Sequence, residues 1–367
     1  MLGPSNGALR LPVSVVIRSG CCGAWHRFPT AAWFLVLIVS PLHAAPDGKA
    51  ATRAAQRSPI VSLAFTGDGR SLLIAWQNQV ERRELDSNER TAIKTGMPRV
   101  AAIATSGAAS NLVAIAGGTP GEMGAVIVWD RNRDTHLRIG GFADLATAVT
   151  FSPDGALLAI GSGDRTCRLF RLTEKDKAWH ADAVGKLVGH GGAVTSMVFS
   201  PDGKMIATAS VDRSIKVWTV ADSALLRTLG NHTDAVNALA VRPQMDPAAP
   251  WTIASASDDR TLRIWQPGIG RMVRIVRGHK GPVLAIAYAA DGRSLLSLGT
   301  EGILRRVDAD SDQILEKHSV DGDWCYALAA NGDGRHVATG SWGGKADIWR
   351  IGNAGLERAD DGRFTPP

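Results

Sequence analysis

The 367-residue chain is poor in aromatic side chains (6%) and carries only four cysteines. Its longest apolar run, residues 31–39, has nine residues. A membrane-spanning helix needs roughly 20, so no integral span is expected. Cys21 and Cys22 stand in the N-terminal stretch, which leaves Cys167 and Cys325. Two cysteines so far apart offer neither a disulfide framework nor a paired zinc motif. Charge of one sign is scarce as well. Of the formal +6, Arg10, Arg18 and Arg27 precede the first acidic residue, Asp47, leaving 38 basic against 35 acidic residues in the rest. That balance is too mild for nucleic acid. There is no His-Glu-x-x-His or Cys-x-x-Cys-His stretch, and from Pro59 onward no Gly-x-Ser-x-Gly elbow. The common zinc-protease, covalent-haem and hydrolase signatures are therefore missing, and no cofactor is expected.

What the chain does have is glycine (40) and proline (17), a composition of many short strands and turns. Before those strands comes a leader. Arg18 and Arg27 precede the apolar run AAWFLVLIV, and Ser40-Pro41-Leu42-His43-Ala44-Ala45 then supplies a breaker and small residues. Residues 1–45 read as an export signal, which places the mature protein in the periplasm or outside the cell. The alternative is a start codon assigned too far upstream, which would leave the protein in the cytoplasm. Residues 46–58 read as a polar linker or a closing edge strand, and 359–367 as a polar tail.

From Pro59 to Arg358 one cassette recurs: an apolar strand, a turn ending in Gly, a second strand of small residues, an acidic turn and a third strand ending in Trp. The clearest copy holds AVTSMVF from Ala193, the turn Ser200-Pro201-Asp202-Gly203, MIATAS from Met205 and SIKVWTV from Ser214. Arg83, Trp129, Phe170, Trp218, Trp265, Val307 and Trp349 occupy one position of seven copies. Their mean spacing of about 44 residues is that of a four-stranded propeller blade. Copy two carries an insertion at 119–124 and copy five one at 244–250.

Gly189-His190, Gly278-His279, Asp212, Asp259 and Trp129-Asp130 resemble the Gly-His, turn aspartate and Trp-Asp of WD40-repeat proteins. The resemblance implies an all-β fold, a seven-bladed propeller of four-stranded antiparallel blades. Copies one and six depart from the pattern, since Arg83 and Val307 replace Trp and Glu301-Gly302 replaces the aspartate turn. It further implies a hydrogen-bonded chain from indole to hydroxyl to histidine to aspartate. In blade four this is Trp218, Thr208 or Ser210, His190 and Asp212; in blade five Trp265, Ser255 or Ser257, His232 and Asp259. These histidines are expected to be structural. They lie one repeat apart and cannot share a metal ion.

Other candidates for chemistry have plain readings. The run 117–124 lacks the lysine and helix of a phosphate cradle and reads as a strand connection. Cys167 sits in a strand, while Cys325 borders a loop. Function is therefore sought on the surface. The resemblance places partners on the rim that joins strands two to three and blade to blade. That rim holds Arg165, Arg213, Arg260, Lys280, Trp324 and Trp342, residue types that suit an acidic protein or peptide. The competing account is that each arginine merely pairs with the acid before it. The reading is an exported, non-catalytic protein-interaction scaffold of open oligomeric state. The alternatives are a propeller enzyme with a channel site, or a binder of envelope polysaccharide through the two tryptophans.

Overall fold

Alternating or continuous apolar runs of five to eight residues, cut by Asp-Gly turns, fold here as 28 strands, with no helix among the described residues. The computed structural model describes residues 58–107, 111–244, 246, 248–320, 324–352 and 355–359, all within the unit 51–367. The expected leader 1–45, the segment 46–57 and the tail 360–367 lie outside the described residues.

Each blade is a four-stranded antiparallel sheet in sequence order. Blade one is β1 (Ile60–Phe65), β2 (Ser71–Trp76), β3 (Val80–Glu84) and β4 (Arg90–Ile93). Blade two is β5 (Val100–Thr105), β6 (Leu112–Thr119), β7 (Met123–Asp130) and β8 (Thr135–Phe142). Blade three is β9 (Ala146–Phe151), β10 (Leu157–Ser162), β11 (Thr166–Lys175) and β12 (Ala178–Val188). Blade four is β13 (Val194–Phe199), β14 (Met205–Ser210), β15 (Ile215–Thr219) and β16 (Leu225–Leu229). Blade five is β17 (Val236–Val241), β18 (Ile253–Ser257), β19 (Leu262–Gln266) and β20 (Arg271–Val276). Blade six is β21 (Val283–Tyr288), β22 (Ser294–Gly299), β23 (Ile303–Asp308) and β24 (Ile314–Ser319). Blade seven is β25 (Cys325–Ala330), β26 (His336–Ser341), β27 (Ala346–Gly352) and β28 (Gly355–Arg358).

The expected third-strand register holds in every blade. Arg83, Trp129, Phe170, Trp218, Trp265, Val307 and Trp349 pair across from Leu72, Val113, Leu158, Ile206, Ile253, Leu295 and Val337. The degenerate blades one and six thus keep the geometry without the tryptophan. First strands pack in succession around the axis, and β25 packs on β1. Seven apolar clusters fill the seven gaps between neighbouring blades. Second strands such as β14 and β26 are buried on both faces, whereas the outer β16 exposes four of its five residues. A sheet that buries neither face alone becomes stable only between two neighbours, which is why the ring must close.

Among the described residues closure uses no exchanged strand. β28 pairs with β27 from the same end of the chain, so the local completion of blade seven is the one adopted. The seam between blades seven and one repeats the ordinary junction. A Cβ on Gly340 would meet Ile60 at 2.5 Å, as one on Gly161 would meet Val194 at 2.7 Å. Both glycines let the first strand of the next blade lie directly on the second strand. Asn331 Nδ2 donates to the Gly69 carbonyl across the seam at 3.1 Å.

Candidate functional site

The two indole-to-aspartate chains form as the family pattern implies, and the structure chooses their hydroxyls. Trp218 Nε1 donates to Thr208 Oγ1 at 2.9 Å, Thr208 Oγ1 lies 2.7 Å from His190 Nε2, and His190 Nδ1 lies 2.8 Å from Asp212. In blade five Trp265 Nε1 donates to Ser255 Oγ at 2.8 Å, with His232 bridging Ser255 and Asp259 at 2.7 Å each. Ser210 and Ser257 instead accept from the amides of Asp212 and Asp259 at 3.1 Å. Burial raises the carboxyls of Asp212 and Asp259, but hydrogen bonds from histidine, hydroxyl and loop amide outweigh it and hold both well below the usual range. Burial lowers His232. Within each chain the indole, hydroxyl, imidazole and carboxylate are hydrogen-bonded to one another, an arrangement that ties the turn to the strands.

The hydroxyl position splits the ring in two. Blades four to seven place Thr208, Ser255, Ser297 and Thr339 there, while blades one to three place Ile74, Ile115 and Ile160. In blade two the indole of Trp129 turns instead to Asp134 at 2.9 Å. Blade seven keeps the indole-to-hydroxyl bond, Trp349 to Thr339 at 3.0 Å.

The rim residues lie at equivalent points of their blades. Arg165, Arg213 and Arg260 each close a turn by donating the amide to Ser162, Ser210 and Ser257 at 3.2 Å. Each has a left-handed backbone, with φ of 71°, 72° and 66°. Blades six and seven use Gly302 and Gly344 at that point, with φ of 62° and 76°. The three arginines are exposed, and among the described residues none of their guanidinium groups makes a hydrogen bond or ion pair. The pairing expected of an arginine with the preceding acid is not formed. Asp164 bonds Thr166, Asp212 bonds His190 and Ser214, and Asp259 bonds His232 and Thr261. Lys280 is exposed in the loop before blade six.

Trp324 and Trp342 lie on the same rim, on the loop before β25 and the turn after β26, 47% and 42% exposed. Their rings meet edge to face at 6.5 Å, and the half-buried Tyr326 completes a cluster at 5.6 Å from Trp342 and 6.5 Å from Trp324. Tyr326 was not expected at this site. Its place in an otherwise apolar first strand, two residues after Trp324, was the available signal.

Cys325 is fully buried as the first residue of β25, which removes the loop thiol. Cys167 is buried too, and burial pushes its thiol up. The run 117–124 is a strand connection, with Thr119 paired to Met123 across a turn whose Gly121 amide donates to Asp144 at 2.6 Å. No group of three or more His, Cys, Asp or Glu side chains converges among the described residues. The opposite rim carries a shallow depression of about 380 Å³ lined by Phe151, Phe199, Val241 and three prolines, Pro153, Pro201 and Pro243. Blade three adds a long hairpin that the repeat analysis did not locate. β11 and β12 run to Asp176-Lys177, both left-handed, and lean on blade two through Trp179 to Asp130 at 2.9 Å and Arg133 to Glu174 at 2.8 Å.

A closed ring of seven blades with buried polar chains and an exposed basic and aromatic rim defines a β-propeller. Four segments match the family model "WD domain, G-beta repeat": residues 139–171, 182–219, 223–266 and 311–350. The chain is a WD40-repeat β-propeller. Each matched segment ends within or at the last residue of the third strand of a blade, so the sequence repeat begins in or just before the outer strand of one blade and finishes in the next. No curated protein matches the chain.

Proposed function

We propose that the protein is a non-catalytic protein-interaction scaffold whose rim, from blade three to blade seven, binds an acidic protein or peptide. The observation that carries this reading is the set of three unpaired arginines held in left-handed turns. A non-glycine residue in that conformation costs about 1 kcal/mol or more, and nothing in the turn rewards the guanidinium. Arginine and tryptophan are the side chains that most often anchor interfaces, and large exposed aromatics on a folded surface call for a partner. Lys280 adds charge between the arginines and the aromatic cluster. The leader pattern of residues 1–45 supports export of this scaffold to the periplasm or beyond, which N-terminal sequencing of the mature chain tests.

The deciding experiment compares partner capture by the chain from Pro46 onward with capture by an Arg165→Gly, Arg213→Gly, Arg260→Gly variant. Glycine relieves the backbone, so the variant is expected to keep its melting temperature while losing a partner whose retention weakens with salt. Equal capture by both forms sinks the rim assignment. Retention of the protein on envelope polysaccharide, lost on Trp324→Ala and Trp342→Ala alone, would favour the polymer-binding alternative.

A further inference from the structure

Blade six departs from blades four and five at the buried end of the rim. Glu301 stands where those blades have Asp212 and Asp259, and its extra methylene carries the carboxylate past the imidazole. It accepts from the amides of Lys280 and Gly281, the latter at 2.9 Å, and from Arg305 Nη2. Arg305 Nη1 approaches His279 Nδ1 at 3.1 Å. A guanidinium only donates, so Nδ1 must accept and the ring proton sits on Nε2, 3.2 Å from Ser297 Oγ. Val307 replaces the tryptophan, so no indole competes for that oxygen. The hydrogen-bond direction is therefore the reverse of that through His190 and His232, whose Nδ1 protons face carboxylates.

The groups facing the His279 ring are Ser297 from β22, Glu301 from the turn 300–302, Arg305 from β23 and, at longer range, Lys317 from β24. The carboxylate is engaged by Arg305 and the loop amides, and Arg305 Nε is buried without a partner. A proton on Nδ1 would place two cations in contact and leave Arg305 Nη1 without its acceptor. From this geometry we infer that His279 is an acid-sensitive latch, holding the loop 277–282 to Ser297 of β22 and Arg305 of β23 while neutral and releasing it on protonation. The inference rests on the rim reading for its role, because that loop carries Lys280 between Arg260 and Trp342. Acid release of the latch loosens the middle of the recognition surface and weakens partner binding.

Burial first, and then the Arg305 charge, lower the His279 pKa to about 4 from 6.5. An opened loop with an ordinary histidine then gains about fifty-fold in population between pH 7 and pH 4.5. The test is amide hydrogen exchange on the full chain without any partner, taking the junction 143–146 before blade three, which holds no histidine, as an internal reference. In wild type the protection of 277–282 relative to 143–146 falls by about fifty-fold over that interval, while in His279→Gln the ratio stays within about threefold. A wild-type ratio that does not move with pH overturns the latch, as does an equal fall in the variant. Should His279→Gln fail to fold, the wild-type ratio alone decides. No partner enters the measurement, so its failure is separate from failure of the rim to bind.

Discussion

The backbone amide of Trp342 donates to the carbonyl of Trp324 at 2.7 Å. The same bond joins Val211 to Ala193 in blade four and Asp258 to Ala235 in blade five, at 3.1 and 3.0 Å. Blade seven thus builds its aromatic cluster on a connection that blades four and five make without aromatic residues. The connection does not depend on the rings. Trp324→Ala and Trp342→Ala are each expected to lower stability by no more than about 1.5 kcal/mol, with a coupling of about 0.5–1.5 kcal/mol from the ring contact. A double-mutant cycle in urea measures both, and independence of the two sites would show that the rings do not act together.

Thr208 and Ser255 each take an indole proton and face a histidine nitrogen. Thr208→Val and Ser255→Ala leave both partners buried and unsatisfied, so each is expected to cost about 1–3 kcal/mol in denaturant unfolding. The isoleucines at the corresponding points of blades one to three have no such partners. Ile160→Val should therefore cost only the lost methyl group, about 0.5–1.5 kcal/mol.

Glu316 holds the last strand in place. Its carboxylate accepts from the Leu356 amide at 2.6 Å, from Arg306 at 2.7 Å and lies 3.1 Å from His318. Burial raises this carboxyl, but the three donors outweigh it and keep it ionised. Glu316→Ala is expected to destabilise the chain by about 1–3 kcal/mol and to speed proteolysis after Gly352. A chain starting at Ser58 should melt within a few degrees of the chain from Pro46, because β28 already completes blade seven. Loss of the cooperative transition in that shorter chain would show that closure needs the earlier segment.

Acidification should weaken the fold in two stages. His279 and His232 are held below their ordinary value, so the folded state refuses a proton that the unfolded chain accepts. Their stabilisation is complete above pH 6.5 and declines as pH falls toward 4, at up to about 1.4 kcal/mol per pH unit for each group. Asp212 and Asp259 are held below 3.8, so their contribution stays intact through that range and is lost only on further acidification. Chemical denaturation from pH 8 to 3 should show the first decline, reduced in His279→Gln. A flat profile above pH 4 would contradict the histidine assignment.

The repeat was legible because blade geometry forces residue type at fixed intervals. The Asp-Gly turns, the small-residue second strands and the third-strand position of Trp218, Trp265 and Trp349 recur whatever the rest of the chain does. The rim arginines were legible as residues but not as free cations, because their neighbours' hydrogen bonds decide what Asp212 and Asp259 have left to offer. The choice of Thr208 over Ser210 was likewise hidden, since both hydroxyls stand on one strand and only the reach of the indole separates them.

The sequence by itself determined the number of blades and the order of strands, which follow from local pattern repeated seven times, and the family resemblance pointed to the tryptophan, histidine and aspartate of the two polar chains. Tertiary structure alone decided the closure by β28, the gathering of Trp324, Tyr326 and Trp342, and the reversed hydrogen bonds of His279. Each of those depends on which groups meet across a blade or a seam, and one methylene in Glu301 is enough to redirect a proton that periodicity cannot follow.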